Sequence, residues 1–338
     1  MEQCILHEVF MKAIVYTKYG SPDGLQLEQV EKPVPGDDEV LIKVYATTVN
    51  RTDCATIRAK PFFMRIVTGL FGPKKQIPGT EFAGEIEASG KNVSSLKVGD
   101  KVFGFDDLGS ESHAQYMTIK EDRVITIPGN NSYEQAAASS EGAHYAYNFI
   151  NKVDLKKGQQ ILVNGATGAI GSAAVQLLSY FDVQVTAVCA TKNIELVKSL
   201  GASRVIDYTK EDFTKDEQKY DFVFDTVGKS SFFKTRHLLR PGGIYISSDL
   251  GYLAQNIFLP LISPIIKPMM GNKKTIFPTP VNIRRSLLLI KDLIEQEKFR
   301  AVIDRKFPLE QIAEAFRYVE KGQKTGNVVI TVGHNDNS

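Results

Sequence analysis

Gly165, Gly168 and Gly171 recur at every third position between an apolar run, Ile161, Leu162 and Val163, and a stretch of helical period from Ala169 to Tyr180. Such a run suits a parallel strand buried on both faces, and Ile170, Ala173, Ala174, Leu177 and Leu178 fall on one side of the helix that follows. A glycine turn opening a helix presents unpaired N–H groups and about half a positive charge, which is chemistry for a pyrophosphate. Ala166 stands where the first glycine of a strict G-x-G-x-x-G would be, so the spacing alone also admits a glycine-containing turn with no ligand. A second buried strand, Val183 to Val188, follows at the distance a βαβ unit demands. Ala166, Thr167, Gly168, Ala169, Ile170 and Gly171 are therefore the expected dinucleotide cradle.

The end of that second strand bears on which dinucleotide is held. An NAD site places Asp or Glu there to bond the ribose 2′-hydroxyl. This chain has Cys189-Ala190-Thr191-Lys192-Asn193 instead, with no carboxylate to repel a 2′-phosphate. Thr191 and Lys192 thus predict NADP(H). The other reading of Lys192 is a solvated charge at the start of the next helix.

The elements around this unit follow from length and pattern. With 338 residues the chain is long enough for two domains, and a net charge of +2 predicts neither nucleic acid nor membrane as partner. Met1 to Phe10 resembles no signal or transit peptide and is expected to be an extension of little structural consequence. Cys4, Cys54 and Cys189 are odd in number with no CxxC pair, and the longest apolar stretch, Ile257 to Ile266, is cut by Pro260 and Pro264. Neither a disulfide framework, a zinc site nor a membrane span is expected, and the simplest compartment is cytoplasmic. Short strands from Lys12 to Ile119 predict a β-rich barrel. Past Ile127-Pro128, helices alternate with strands such as Arg204 to Asp207, Phe222 to Asp225 and Ile244 to Ser247, which predicts a parallel sheet. The expected fold class is α/β, with residues 1–134 and 299–338 in the first domain and 135–298 in the second.

An ordered series of motifs resembles a family. Asn50-Arg51-Thr52-Asp53, Ile77-Pro78-Gly79-Thr80-Glu81-Phe82-Ala83-Gly84, Val98-Gly99-Asp100-Lys101-Val102, the glycine turn, Leu200-Gly201-Ala202, Val205-Ile206-Asp207-Tyr208 and Pro241-Gly242-Gly243 look like the medium-chain dehydrogenase/reductase superfamily, from about Met11 to Val332. The resemblance implies a GroES-like β-barrel catalytic domain and a Rossmann-type doubly wound parallel sheet, often as a homodimer. Its zinc branch carries a ligating Cys near Asn50, a His in Gly-His-Glu, and a third ligand ahead of the cofactor domain. Here Asn50-Arg51-Thr52-Asp53, Thr80 and Glu141-Gly142-Ala143-His144 occupy those regions. Glu81, Glu141 and His144 form an imaginable substitute set, but no metal is expected.

Without a Lewis acid, a conjugated carbonyl or a quinone is a better hydride acceptor than a simple carbonyl, because negative charge spreads onto an oxygen that hydrogen bonds can stabilise. The resemblance to the quinone oxidoreductase-like branch implies NADPH-dependent reduction of such substrates. Asn50 is then expected to hold the nicotinamide or donate to the acceptor oxygen, with Asp53 orienting it and Thr52 or Tyr145 as further donors. Each has a plainer role: turn residue for Asn50, helix cap for Asp53, packing for Tyr145. Tyr208 and Val227 are further expected cofactor contacts, and His113 is expected to pack on a barrel strand. Arg58 to Lys75 and Gly251 to Pro280 are apolar enough to line a cleft for a small apolar substrate, or to form a dimer contact or lipid-facing patch. An alcohol or aldehyde dehydrogenase without zinc and a non-catalytic NADPH-binding protein are the alternatives.

Overall fold

The computed structural model describes residues 9–62, 64–129, 131–248, 271–278 and 282–334. The chain divides into two compact units, one of residues 1–141, 283–295 and 303–338, the other of residues 142–282 and 296–302. The first boundary lies a few residues beyond the expected one. The larger difference is the helix Ile283–Glu295, expected in the dinucleotide domain but grouped with the first unit. It is held there by Arg284 Nη1 donating to the Val124 carbonyl at 3.0 Å and Lys291 Nζ donating to Thr126 Oγ1 at 2.8 Å.

The first unit is built on Glu39–Val49, an eleven-residue strand long enough to pair with three others. Glu81–Ser89, Tyr116–Lys120 and Asn327–Thr331 all run antiparallel to it, and Lys101–Phe105, Val124–Thr126 and Ile303–Pro308 extend the sheet. Val40, Ile42 and Val44 point by strand alternation to one face, where they meet Phe82, Met117, Ile119, Val328 and Phe316 in a buried cluster. The register Val328↔Val49 has a functional consequence. Lys324, just before the last strand, and Asn50, just after the long one, arrive at the same end of the sheet.

The second unit is a six-stranded parallel sheet in the order Arg204–Asp207, Gln184–Cys189, Gln160–Asn164, Tyr220–Asp225, Leu239–Ser247, Lys274–Ile276. In chain order this is 3-2-1-4-5-6, the doubly wound arrangement whose ligands bind outside the carboxyl ends of strands 1 and 4. Ile161, Leu162 and Val163 are fully buried, as the sequence pattern required. The helix Ala169–Tyr180 matches its expected span. Among the described residues no helix is long and apolar enough to cross a membrane. Residues 1–8 and most of 251–280 lie outside the described residues, so the expectations for the N-terminal extension and the second cleft segment do too.

Candidate active site

The glycine turn is built by close backbone packing. A Cβ on Gly171 would stand 2.1 Å from the Gly165 carbonyl oxygen, and Gly165 itself has φ +82°, so neither position takes a side chain without distortion. Gly168 differs: it is the N-cap of Ala169–Tyr180, has no side-chain cap, and a Cβ there would meet nothing closer than 3.9 Å. The helix therefore starts with open N–H groups beside open space, which fits a pyrophosphate. Ala166 is buried, with its N–H bonded to the Val188 carbonyl at 3.2 Å, while Thr167, Ala169 and Ile170 are half-buried along the turn. Val227 packs over Gly165 and keeps 39% of its surface exposed.

The sequence left Asp225 and Asn164 unread, although they fix the switch point of the sheet. Asp225 is fully buried and accepts from Asn164 Nδ2 at 3.0 Å, Tyr245 hydroxyl at 2.9 Å, Gly228 N at 3.1 Å and Ser230 N at 3.2 Å. Burial raises its pKa, and these donors oppose the shift.

At the far edge of this unit the structure corrects one expectation. Asp207 pairs in register with Cys189, so a carboxylate does reach the end of the second strand, from the third. Spacing along the second strand alone could not show it. Asp207 takes the hydroxyl hydrogens of Thr191 and Thr209 and the Thr209 N–H, with Lys210 Nζ 3.7 Å away, and these bonds hold it well below the usual carboxylate range. The Thr191 hydroxyl is therefore committed to a neighbour. Lys192 is exposed and makes no ion pair among the described residues, and Tyr208 is 59% exposed.

The first unit holds a second polar centre. Asn50, at the N-cap of Arg51–Arg58, donates through its side-chain amide to Glu81 Oε2 at 2.6 Å, and more weakly to Thr48 Oγ1 at 3.3 Å and Glu141 Oε2 at 3.5 Å. Thr48 also donates to Glu81, whose other oxygen accepts the Glu141 N–H at 2.7 Å. Thr52 donates to Glu141, and Thr80 lies 3.4 Å from both Asp53 and Glu141. Asp53 Oδ2 accepts the Asn50 N–H at 2.7 Å, the cap role set out above as its plainer alternative. Lys324 Nζ completes the centre by donating to Asn50 Oδ1 at 3.0 Å. Tyr145 is half-buried one turn beyond Glu141 on the helix Glu141–Ile150, with its ring edge-on to His144. His113 is buried, bonded through Nε2 to the Thr48 carbonyl at 2.8 Å.

Three buried carboxyls in one cluster cannot all ionise cheaply. Burial, then the charge of Glu141, raises Asp53 and Glu81, and burial raises Glu141. A group whose folded pKa lies above its unfolded value stabilises the fold at low pH, and that contribution is lost as pH rises through the folded value. Asp53 moves from its ordinary 3.8 to about 8, so the melting temperature is expected to fall between pH 6.5 and 8. Burial lowers His113 and His144 from the ordinary 6.5 to about 4, so their opposing gain of stability falls mainly between those values and tapers off as pH rises past 6.5. Asp53→Asn, which keeps an oxygen for the Asn50 N–H, should flatten the decline; parallel melting curves for the two proteins would contradict the assignment.

A doubly wound sheet with such a turn, in a chain whose other unit buries a hydroxyl–amide–carboxylate centre, is the construction of a nicotinamide-dependent oxidoreductase. Comparison with known proteins agrees. Residues 36–129 match the alcohol dehydrogenase GroES-like domain, and residues 200–330 match a domain described as zinc-binding dehydrogenase. The chain is 32% identical over 334 residues to 2-methylene-furan-3-one reductase of Solanum lycopersicum, covering 95% of this chain and 79% of that protein. It is 30% identical, with the same coverage, to the chloroplastic NADPH-dependent alkenal/one oxidoreductase of Arabidopsis thaliana. The structure of the quinone oxidoreductase from Coxiella burnetii superposes with a TM-score of 0.85 at 26% identity, over 96% of this chain and 100% of that one. The chain belongs to the medium-chain dehydrogenase/reductase superfamily, with quinone and alkenal oxidoreductases as its relatives.

The zinc of that superfamily's alcohol dehydrogenases does not fit the first unit's centre. Its side chains are amide, hydroxyl, carboxyl and ammonium, Glu81 already accepts from three donors, and Lys324 brings a positive charge of its own. Among the described residues no three His, Cys, Asp or Glu side chains are grouped as a metal would need. Cys54 faces the Phe316 carbonyl at 4.0 Å, and His144 Nε2 lies 3.1 Å from Asn148 Nδ2.

Proposed function

We propose that this chain is a zinc-independent reductase that delivers hydride from NADPH to quinones or to the far carbon of α,β-unsaturated carbonyls. The observation that carries the reading is the first unit's centre, where hydrogen-bond donors and an ammonium stand in place of a metal's ligand set. Such a centre stabilises charge spread over a conjugated oxygen better than it stabilises a localised alkoxide. Relatives named for the reduction of alkenals, enones and quinones support the same class. The test is turnover with a quinone, an enone and a saturated aldehyde of equal size. The first two should be reduced at least tenfold faster than the third, and equal rates would favour an aldehyde reductase.

When bound, NADPH supplies the hydride. This chain's part is to seat its pyrophosphate on the open N–H groups after Gly168 and to leave the 2′-phosphate to Lys192, a cation at that edge with no carboxylate partner among the described residues. Lys192→Glu is expected to lower the preference for NADPH over NADH by tenfold or more, read as the ratio of dissociation constants by nicotinamide fluorescence. An unchanged ratio would assign the preference elsewhere. A reducing compartment is also part of the proposal, since Cys54 and Cys189 are both free thiols.

A further inference from the structure

The hydrogens of the first unit's centre can be followed one by one. Both amide hydrogens of Asn50 point to Glu81 and to the Thr48–Glu141 side. The hydroxyl hydrogen of Thr48 goes to Glu81, that of Thr52 to Glu141, and that of Thr80 to Asp53 or Glu141. Burial and mutual repulsion favour the protonated carboxyls, but their oxygens are enclosed among these same partners. Lys324 is different. Its ammonium has three hydrogens, of which one goes to Asn50 Oδ1 and one to the Gly326 carbonyl, and the third has no partner among the described residues. The side chain as a whole is half-buried, with its ammonium held inside the centre.

We infer that Lys324 is the catalytic residue that meets the acceptor oxygen: its third N–H bonds the carbonyl or quinone oxygen and gives that oxygen a proton as hydride arrives at carbon. The inference rests on the reductase reading above. For an enone, the hydride forms a C–H bond at the far carbon, the C=C π pair moves to the C–C bond beside the carbonyl, and the C=O π pair moves to oxygen. The O–H bond forms as one N–H bond of Lys324 breaks, giving the enol and a neutral amine. The enol tautomerises to the saturated ketone, and the amine is reprotonated by water. Asn50 is then a positioning residue, since its oxygen aims the ammonium while its amide group is anchored on Glu81.

The electrostatics suit the role. Burial brings Lys324 down to about 8 against the opposing pull of the nearby Glu81, Glu141 and Asp304 carboxyls, while the Cys54 thiol in the same surroundings is itself pushed up by burial and so stays neutral. Asp53 and Arg51 lie on the same helix as Cys54, with opposite effects on that thiol. A donor of that strength is charged at neutral pH and yields its proton readily.

The test uses the full-length protein, Lys324→Met, Lys324→Arg, and 4-nitrophenol as a stable mimic of the reduced oxygen whose ionised form is read by its visible absorbance. The wild type should bind the probe as phenolate. Lys324→Met should bind NADPH unchanged, lose the phenolate band, fall 100-fold or more in kcat/KM, and lose the alkaline limb of the rate profile near pH 8. Lys324→Arg should keep the band while losing turnover, because an arginine does not release its proton. Lys324→Met that still binds phenolate would overturn the assignment even if activity were lost, since the defect would then be structural. Wild type that reduces neither quinone nor enone would instead sink the reductase reading, and the phenolate band would judge Lys324 independently.

Discussion

Gly168→Asp is expected to abolish cofactor binding while leaving the protein folded. A side chain at this position enters open space, and aspartate is among the best N-cap residues, so the melting temperature should hold or rise. The same carboxylate would take up the N–H groups meant for the pyrophosphate and add a repulsive charge. The NADPH dissociation constant should increase about 100-fold or more, equivalent to ~2.7 kcal/mol. Stability and affinity moving in opposite directions separates this effect from simple misfolding. Titration by nicotinamide fluorescence, with a thermal melt on the same sample, measures both. Unaltered affinity would mean that the phosphates lie elsewhere.

Glu81→Ala should be the most destabilising single change in the first unit. It removes the acceptor for the Thr48 hydroxyl, the Asn50 amide and the Glu141 N–H, leaving the buried hydroxyl and N–H unpaired and the amide with only its two longer contacts. At about 1–3 kcal/mol each, less the relief of repulsion among the carboxyls, the loss is about 3 kcal/mol or more, or roughly 5–10 °C in melting temperature. Asn50 would also be freed to rotate, so activity should fall further than the remaining folded fraction explains. A melting temperature within about 1 °C of wild type would show that water replaces the carboxylate without cost.

The two sites differ in how far they could be read from sequence. The glycine turn was legible because its parts are local: an apolar run, glycines at fixed offsets and a helical period lie within about two dozen residues, and the strand order that frames it follows from short connections. Three-residue Lys274–Ile276 offered too little pattern to be read as the sixth strand. Asp207 was legible as part of a motif but not as a neighbour of Thr191, because that contact depends on which strands lie side by side. Sequence offers Glu81, Glu141 and His144 only as an imaginable metal set with no metal expected, and it does not show that Glu81 is the acceptor hub of a hydrogen-bond network. Lys324 had no local signal whatever. It meets Asn50 across 274 positions of sequence, through the antiparallel pairing of the last strand with the long one.

The proposed reductase centre works with hydrogen bonds and an ammonium in place of a metal. Its most direct test is NADPH oxidation with an enone after exhaustive chelation, with residual zinc quantified on the same sample. Full turnover at a zinc content far below one per chain is the predicted result. Activity that disappears on chelation and returns with added zinc would mean that the centre is a metal site.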